Sequence, residues 1–190
     1  MKISVVTLKK EHVDDFAKER NEALKKAGCE WVLFLDSDEV LTPELKAEID
    51  KLKPDSKING YYIERKGIVE ERLLRLARKT AGKWERCVHE IWNVKGGIGY
   101  LKNPIIHNED MSIFGMVKKA DFYSTLHAEA NLLEGKKSNF FKITASSFVK
   151  FIQTFILKKA YKKGTKGFVF SIFQSFQSFL SWTKLYFLSI

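Results

Sequence analysis

The sequence predicts an α/β domain followed by a helical, strongly basic C-terminal region. Three observations carry this. Strand and helix alternate first, short strands follow, and helices dominate from Met111 onward, an order that belongs to an α/β domain with a helical tail. A continuous apolar run, Trp31-Val32-Leu33-Phe34-Leu35, has the character of a strand buried on both faces, as in a parallel sheet covered by helices. The charge is also one-sided: residues 1–110 carry 21 Lys and Arg against 20 Asp and Glu, whereas residues 111–190 carry 12 against 3. The boundary is therefore placed between an α/β part, residues 1–110, and a helical part, residues 111–190.

The elements follow in order. Ile3 to Leu8, rich in β-branched residues, reads as a strand. Asp14 or Asp15 caps a helix whose apolar positions, Phe16, Ala17, Ala23, Leu24 and Ala27, recur at helical spacing, and Gly28 stands where that helix ends. The buried run then breaks into Asp36-Ser37-Asp38-Glu39. Thr42 caps the next helix, with Pro43 at its first position and Glu44 in its first turn. Lys53 to Ser56 closes that segment as a loop. From Gly60 to His107 short strands alternate with Gly or charged turns: Tyr61–Ile63, Leu73–Leu76, Val88–Val94 and Gly99–Leu101.

The composition, 45% apolar and 29% charged over 190 residues, is that of a globular chain with a core and an appendage. Cys29 and Cys87 have no metal-site spacing and read as reduced, packed cysteines of a cytosolic protein. The run after Lys2 is too short for a signal core or a membrane span, so no secretory leader is expected.

The motif with the most chemical content is Asp36-Ser37-Asp38. Ligands of open α/β sheets bind beyond the carboxyl ends of strands. Two carboxylates one residue apart at that place can share a hard divalent cation, Mg²⁺ or Mn²⁺, which also binds phosphate oxygens. The same residues also suit a solvated acidic turn or a helix cap. One helix earlier, Arg20 offers a fork for a phosphate and Asn21 a partner for a ribose or base edge, although a helical Arg-Asn is also an ordinary surface pair. Arg75 and Arg78 suit phosphates or a solvated basic strand edge, and His107, after a strand and a proline, suits a metal ligand or a packed histidine. His12 and His127 have no supporting context.

These motifs, taken in order, resemble one family. The stretch Asp15–Leu45 is similar to the segment of family-2 glycosyltransferases that joins the nucleotide site to the metal-binding acidic pair. The later Arg72-Leu73-Leu74-Arg75-Leu76-Ala77-Arg78, Val88-His89-Glu90, Asn103-Pro104-Ile105-Ile106-His107 and Tyr123–Glu129 resemble, in placement, the branch related to lipopolysaccharide-core β-glucosyltransferases. The resemblance covers about residues 10 to 190. It implies a truncated GT-A (Rossmann-like) nucleotide-sugar domain followed by a helical membrane-associated region. It implies Arg20 and Asn21 near the nucleotide and Asp36 and Asp38 at metal and diphosphate; beside these, His107 is a candidate for the metal or the diphosphate, and Arg75 and Arg78 are candidates for phosphates. An inverting transfer needs a base for the acceptor hydroxyl; Glu90 is the first candidate, with His89 beside it, and an ordinary polar pair on a strand is the alternative. A divalent metal would neutralise the departing sugar diphosphate. Family members open with a strand, a helix and a second strand before this segment. Only Ile3 to Leu8 precedes Asp14 here, so most of the base-binding half is expected to be missing.

Residues 140–190 hold eleven phenylalanines, and from Phe141 onward there are eight lysines and no acid. Gly167 to Thr183 is uncharged but carries Ser171, Gln174, Ser175, Gln177 and Ser178. Helices lying in a membrane interface, lysines on anionic headgroups and aromatics below, fit this better than a span. The aromatics interleave with Ile, Leu and Val, and arginine is absent after Arg86, so lipid rather than nucleic acid is expected as partner. The expectation is an enzyme at the cytoplasmic membrane face that moves a hexose from a nucleoside-diphosphate sugar to a lipid-linked or envelope glycan. The alternative is an inactive membrane-bound remnant of the fold.

Overall fold

The computed structural model describes residues 1–8, 15–53, 55–86 and 90–190; His12, Asp14, Cys87, Val88 and His89 lie outside the described residues. The chain divides into two compact units, Met1–Asn108 and Glu109–Ile190.

The first unit is mixed α/β. Its elements are β1 (Ile3–Leu8), α1 (Phe16–Lys26), β2 (Trp31–Asp36), β3 (Glu39–Leu41), α2 (Pro43–Lys51), β4 (Ile58–Lys66), β5 (Glu71–Arg78), β6 (Gly82–Glu85), β7 (Ile91–Val94), β8 (Gly97–Tyr100) and β9 (Ile105–His107). Seven strands form one sheet in the order β1-β2-β5-β4-β9-β3, with β8 also on β4, and β6 pairs with β7 separately. All six residues of β2 are buried, and alternation sends them to two cores. Trp31, Leu33 and Leu35 pack with Leu45 and Ile49 of α2, while Val32 and Phe34 pack with Ala17 and Leu24 of α1 and with Trp84 and Trp92. The double burial read from the sequence is therefore present. The wholly parallel surrounding is not: β2 runs parallel to β1 but antiparallel to β5. After α2, β4 and β5 return as hairpin neighbours, with four residues between them, too few for a crossover helix, while β8 and β9 pair parallel with β4.

The local signals act as expected at both helix starts. The Asp15 side chain accepts from the Lys18 N–H, and Thr42 accepts from the Leu45 N–H ahead of Pro43. Three short strands, β3, β6 and β9, escaped the sequence reading. β3 has three residues and exists through its pairing with β9, 66 residues away, as Glu39↔His107, Val40↔Ile106 and Leu41↔Ile105. β6 is fixed by tertiary packing: Trp84 stacks on Trp92 at 5.0 Å, and both stand edge-on to Phe34. Gly82 is required there, because a Cβ would lie 2.1 Å from the Asn93 carbonyl oxygen across the hairpin.

Glu48 of α2 ties down the turn between β8 and β9, accepting from the backbone N–H groups of Lys102 and Asn103 and from the Asn103 amide. Burial alone would raise its pKa, but these bonds and the Lys102 charge outweigh it and hold the carboxyl below its ordinary value. A carboxylate with a lowered folded pKa stabilises above its unfolded value and loses that contribution as pH falls through the folded one. Glu48→Gln is expected to melt a few degrees lower at neutral pH, with the difference closing in acid; thermal melts across pH check this.

The second unit is helical: α3 (Ile113–Leu133), α4 (Phe140–Ile152), a π-helical turn (Gln153–Leu157), a 3₁₀ turn (Ala160–Lys163) and α5 (Thr165–Leu188). Both α3 and α4 pack on α5. The sequence singled out Gly167–Thr183 as the stretch nearest to a span. In the structure that stretch lies within α5 and contributes buried Gly167, Ser171 and Ser181 to the helix contacts. Among the described residues the one segment long and apolar enough to cross a membrane is instead Phe140–Leu157.

Candidate active site

The site gathers at the carboxyl end of β2. Arg20 stands in the apolar stripe of α1, between Ala17 and Leu24, and only 2% of it is exposed. Its guanidinium lies 4.6 Å from the Trp84 ring centroid and 5.6 Å from that of Phe34. A buried cation is tolerable only when paired, and Arg20 is paired twice. Its Nη2 donates to Asp36 Oδ1 at 2.7 Å, and Nε and Nη2 donate to Glu90 Oε1 at 3.0 and 2.8 Å. The β6–β7 hairpin delivers Glu90, which immediately precedes β7, while Arg86 at φ 72° turns the chain out of β6.

The pairing continues across the sheet. Arg75 Nη2 donates to Asp36 Oδ2 and to Glu39 Oε1, both at 2.9 Å. Burial alone would depress the Arg75 pKa, but the facing Asp36 and Glu39 carboxylates outweigh it and hold the guanidinium above its ordinary value. Glu39 also accepts the Asp36 backbone N–H on Oε2, at 2.9 Å, which fixes the turn that carries Asp38. Arg65 approaches Glu39 at 3.4 Å and Glu71 at 2.7 Å. Glu90, Arg20, Asp36, Arg75, Glu39, Arg65 and Glu71 thus form one alternating chain of charges.

Asp38 sits beside this chain. The β3–β9 pairing puts His107 opposite Glu39, and the Asn108 N–H donates to the Asp38 carbonyl at 2.8 Å. As a result His107 Nε2 lies 3.2 Å from Asp38 Oδ2. Two neighbouring ligands of a Mg²⁺-sized ion, each at roughly 2.1 Å, are about 3 Å apart, so this pair fits two adjacent positions of such an ion. Both oxygens of Asp36 already face guanidinium groups. Among the described residues no cluster of three or more His, Cys, Asp and Glu side chains is arranged to hold a metal. A cation here would complete its shell with water and ligand oxygens, the usual habit of Mg²⁺.

The structure thus brings together Arg20, Asp36, Arg75 and Glu90, and sets Asp38 against His107. Two candidates lie elsewhere. Asn21 spends its amide on the Trp84 backbone, donating to the carbonyl at 2.8 Å and accepting the N–H at 2.9 Å, so it brackets α1 to the hairpin. Arg78 pairs in register with Trp31, at the opposite end of β2 from Asp36, stacks on that indole at 4.8 Å and binds Glu30. Five residues of strand, about 16 Å, separate the two ends. His89 lies outside the described residues.

Glu39 and Arg65 belong to the site and were not singled out from the sequence. Arg65 did carry a signal: it continues the alternation Tyr61, Ile63, Arg65 and therefore follows two buried residues on one strand face.

Comparison with known proteins gives this geometry its context. The chain is 25% identical over 188 residues to the lipopolysaccharide core biosynthesis glycosyltransferase LpsC of Rhizobium meliloti, covering 90% of this chain and 69% of that one. The chain resembles glycosyltransferases along most of its length. It is 29% identical over 180 residues to an uncharacterized glycosyltransferase of Rickettsia conorii, covering 82% of this chain and 64% of the relative. A Rickettsia typhi counterpart is 28% identical over 185 residues, with 85% and 63% covered. The chain therefore spans a little under two thirds of the Rickettsia relatives and slightly more of LpsC. No protein-family model matches it. The glycosyltransferase resemblance read from the ordered motifs is borne out by these relatives, one of which is named for lipopolysaccharide core biosynthesis.

Proposed function

We propose that the chain is a metal-dependent, inverting hexosyltransferase of the family-2, GT-A kind, acting on a lipid-linked or envelope glycan at the cytoplasmic membrane face. The observation that carries the reading is the juxtaposition of Asp38 and His107 next to a charge chain that ends in Glu90. That chain has four carboxylates and three guanidiniums, and Asp38 adds a further carboxylate. A bare diphosphate meets net negative charge there, so a nucleoside-diphosphate sugar is held only with a cation between.

In this reading Asp38 and His107 would hold Mg²⁺ or Mn²⁺, which would neutralise charge on the leaving diphosphate. Asp36 is a positioning group rather than a direct ligand. It is clamped by Arg20 and Arg75 and fixes the turn from which Asp38 projects. Glu90 takes the proton of the acceptor hydroxyl as that oxygen attacks the anomeric carbon, oriented by the two bonds from Arg20. Asn21 and Arg78 have no part in donor binding here.

Transfer of labelled hexose from nucleoside-diphosphate donors to a lipid-extractable acceptor, in membranes containing the chain, tests the proposal. Activity is expected to need Mn²⁺ or Mg²⁺, to fall more than about 100-fold on chelation, and to return on adding the metal. A folded chain that transfers nothing from any donor would be a remnant of the fold.

A further inference from the structure

The second unit carries many bulky apolar side chains on its outside. Its helix contacts bury small and polar side chains: Ser124, Thr154 and Ser171 are at most 2% exposed, and Ala128 and Ala160 are fully buried. A Cβ on Gly167 would lie 1.8 Å from the Ala160 carbonyl oxygen, so the backbones meet there without side chains between. The Ser175 hydroxyl donates to the Ser147 carbonyl at 2.7 Å and links α5 to α4. Of the bulky apolar side chains Met116, Leu126 and Leu185 are buried, but those of α4 point outward. α4 has no buried residue, and Phe141, Phe148 and Val149 on it, with Leu157 just beyond, are 78%, 68%, 61% and 70% exposed. Small residues at close helix contacts and bulky ones outside is the arrangement of helices packed in lipid, whereas in water those phenyl rings would be expected in the core.

We infer that α4 and the lysine-rich reversal after it dock the chain on an anionic phospholipid bilayer, with α4 lying in the plane of the interface. The inference deepens the membrane-face element of the function proposed above. Charge complementarity selects the occupant: no acid occurs from Phe141 to Ile190, and Lys158, Lys159, Lys162 and Lys163 crowd the reversal between α4 and α5. The placement of the lysines also favours lying over spanning. The chain turns back at Lys159, which is left-handed at φ 59°, and α5 then packs along α4. A membrane-crossing Phe140–Leu157 would hold Lys150 near the centre of the hydrocarbon, where a cation is strongly disfavoured, and would carry the lysines of the reversal to the far side. Lying flat leaves them at the headgroups and sinks Phe141, Phe148 and Val149 below.

Vesicle co-sedimentation of the full chain tests this without any sugar donor, so its failure and that of the transferase reading are separable. Binding to vesicles of phosphatidylcholine with a third phosphatidylglycerol is expected, with little binding to phosphatidylcholine alone and a marked loss in high salt. Phe148→Glu is expected to weaken binding at least tenfold while far-UV circular dichroism stays unchanged. Replacing Lys158, Lys159, Lys162 and Lys163 with Gln is expected to cost roughly fivefold per lysine. Emission added by Phe148→Trp is expected to be quenched more by bromine high on the acyl chain than at the bilayer centre. Equal binding to neutral vesicles, binding to DNA but not to vesicles, self-association through α4 in place of vesicle binding, or deepest quenching at the centre would each overturn the inference.

Discussion

Glu90→Gln is expected to lower the turnover of hexose transfer by about 10² to 10⁴-fold, the range removed with a positioned general base. The substitution keeps the shape of the side chain and an oxygen that can still accept from Arg20 Nε and Nη2. What it removes is the capacity to take the acceptor proton. The loss should therefore appear in kcat, with little change in the concentration of donor needed for half-saturation, because Glu90 reaches the site through Arg20 and not through Asp38. Equal weakening of donor affinity and turnover would instead assign Glu90 to donor binding. Steady-state kinetics with donor varied at fixed acceptor distinguishes the two.

Arg20→Ala is expected to destabilise the first unit by roughly 3–5 kcal/mol, the scale seen when one member of a buried pair is removed. The penalty comes from what stays behind. Asp36, 4% exposed, keeps Arg75 but loses the 2.7 Å bond on Oδ1, and Glu90 loses both bonds to Oε1. The indole of Trp84 loses the cation over its face. Arg20→Lys should recover only part, since an ammonium cannot reach Asp36 and Glu90 with a rigid fork. Adding Glu90→Gln to Arg20→Met should be less destabilising than the sum of the two single changes, because a carboxylate left without its partner is removed as well. Denaturant unfolding of the set measures this coupling directly.

The parts legible in the sequence were those in which one segment carries its own signal. The buried β2, the caps at Asp15 and Thr42, and the strand-then-helix order all belong to this kind. Arg20 was legible as a phosphate fork in the Arg-Asn pair, but its burial follows from its place between Ala17 and Leu24 on the packed face of α1. The site as a whole was not. Asp38 meets His107 only because three residues of β3 pair with three of β9, and neither strand is long enough to announce itself. Arg75 and Arg78 share one sequence motif, yet the register of β5 sends Arg75 to Asp36 and Arg78 to the far end of β2. Asn21 looked like a ligand-facing amide. Its partner is the Trp84 backbone, 63 residues away, which no local pattern reveals. In the second unit the phenylalanines were plain, but which helix hides its surface and which exposes it depended on helix packing.

The most direct test of the central claim is calorimetric titration of the 190-residue chain with a nucleoside-diphosphate hexose such as UDP-glucose, with and without Mn²⁺, beside Asp38→Ala. The account predicts binding that requires Mn²⁺ and is lost in Asp38→Ala, with the variant's unfolding transition close to that of the parent, because Asp38 lies beside the buried charge chain rather than within it. Donor binding that is indifferent to Mn²⁺ and to Asp38→Ala, or a folded chain that binds no donor across the nucleotide series, would contradict it.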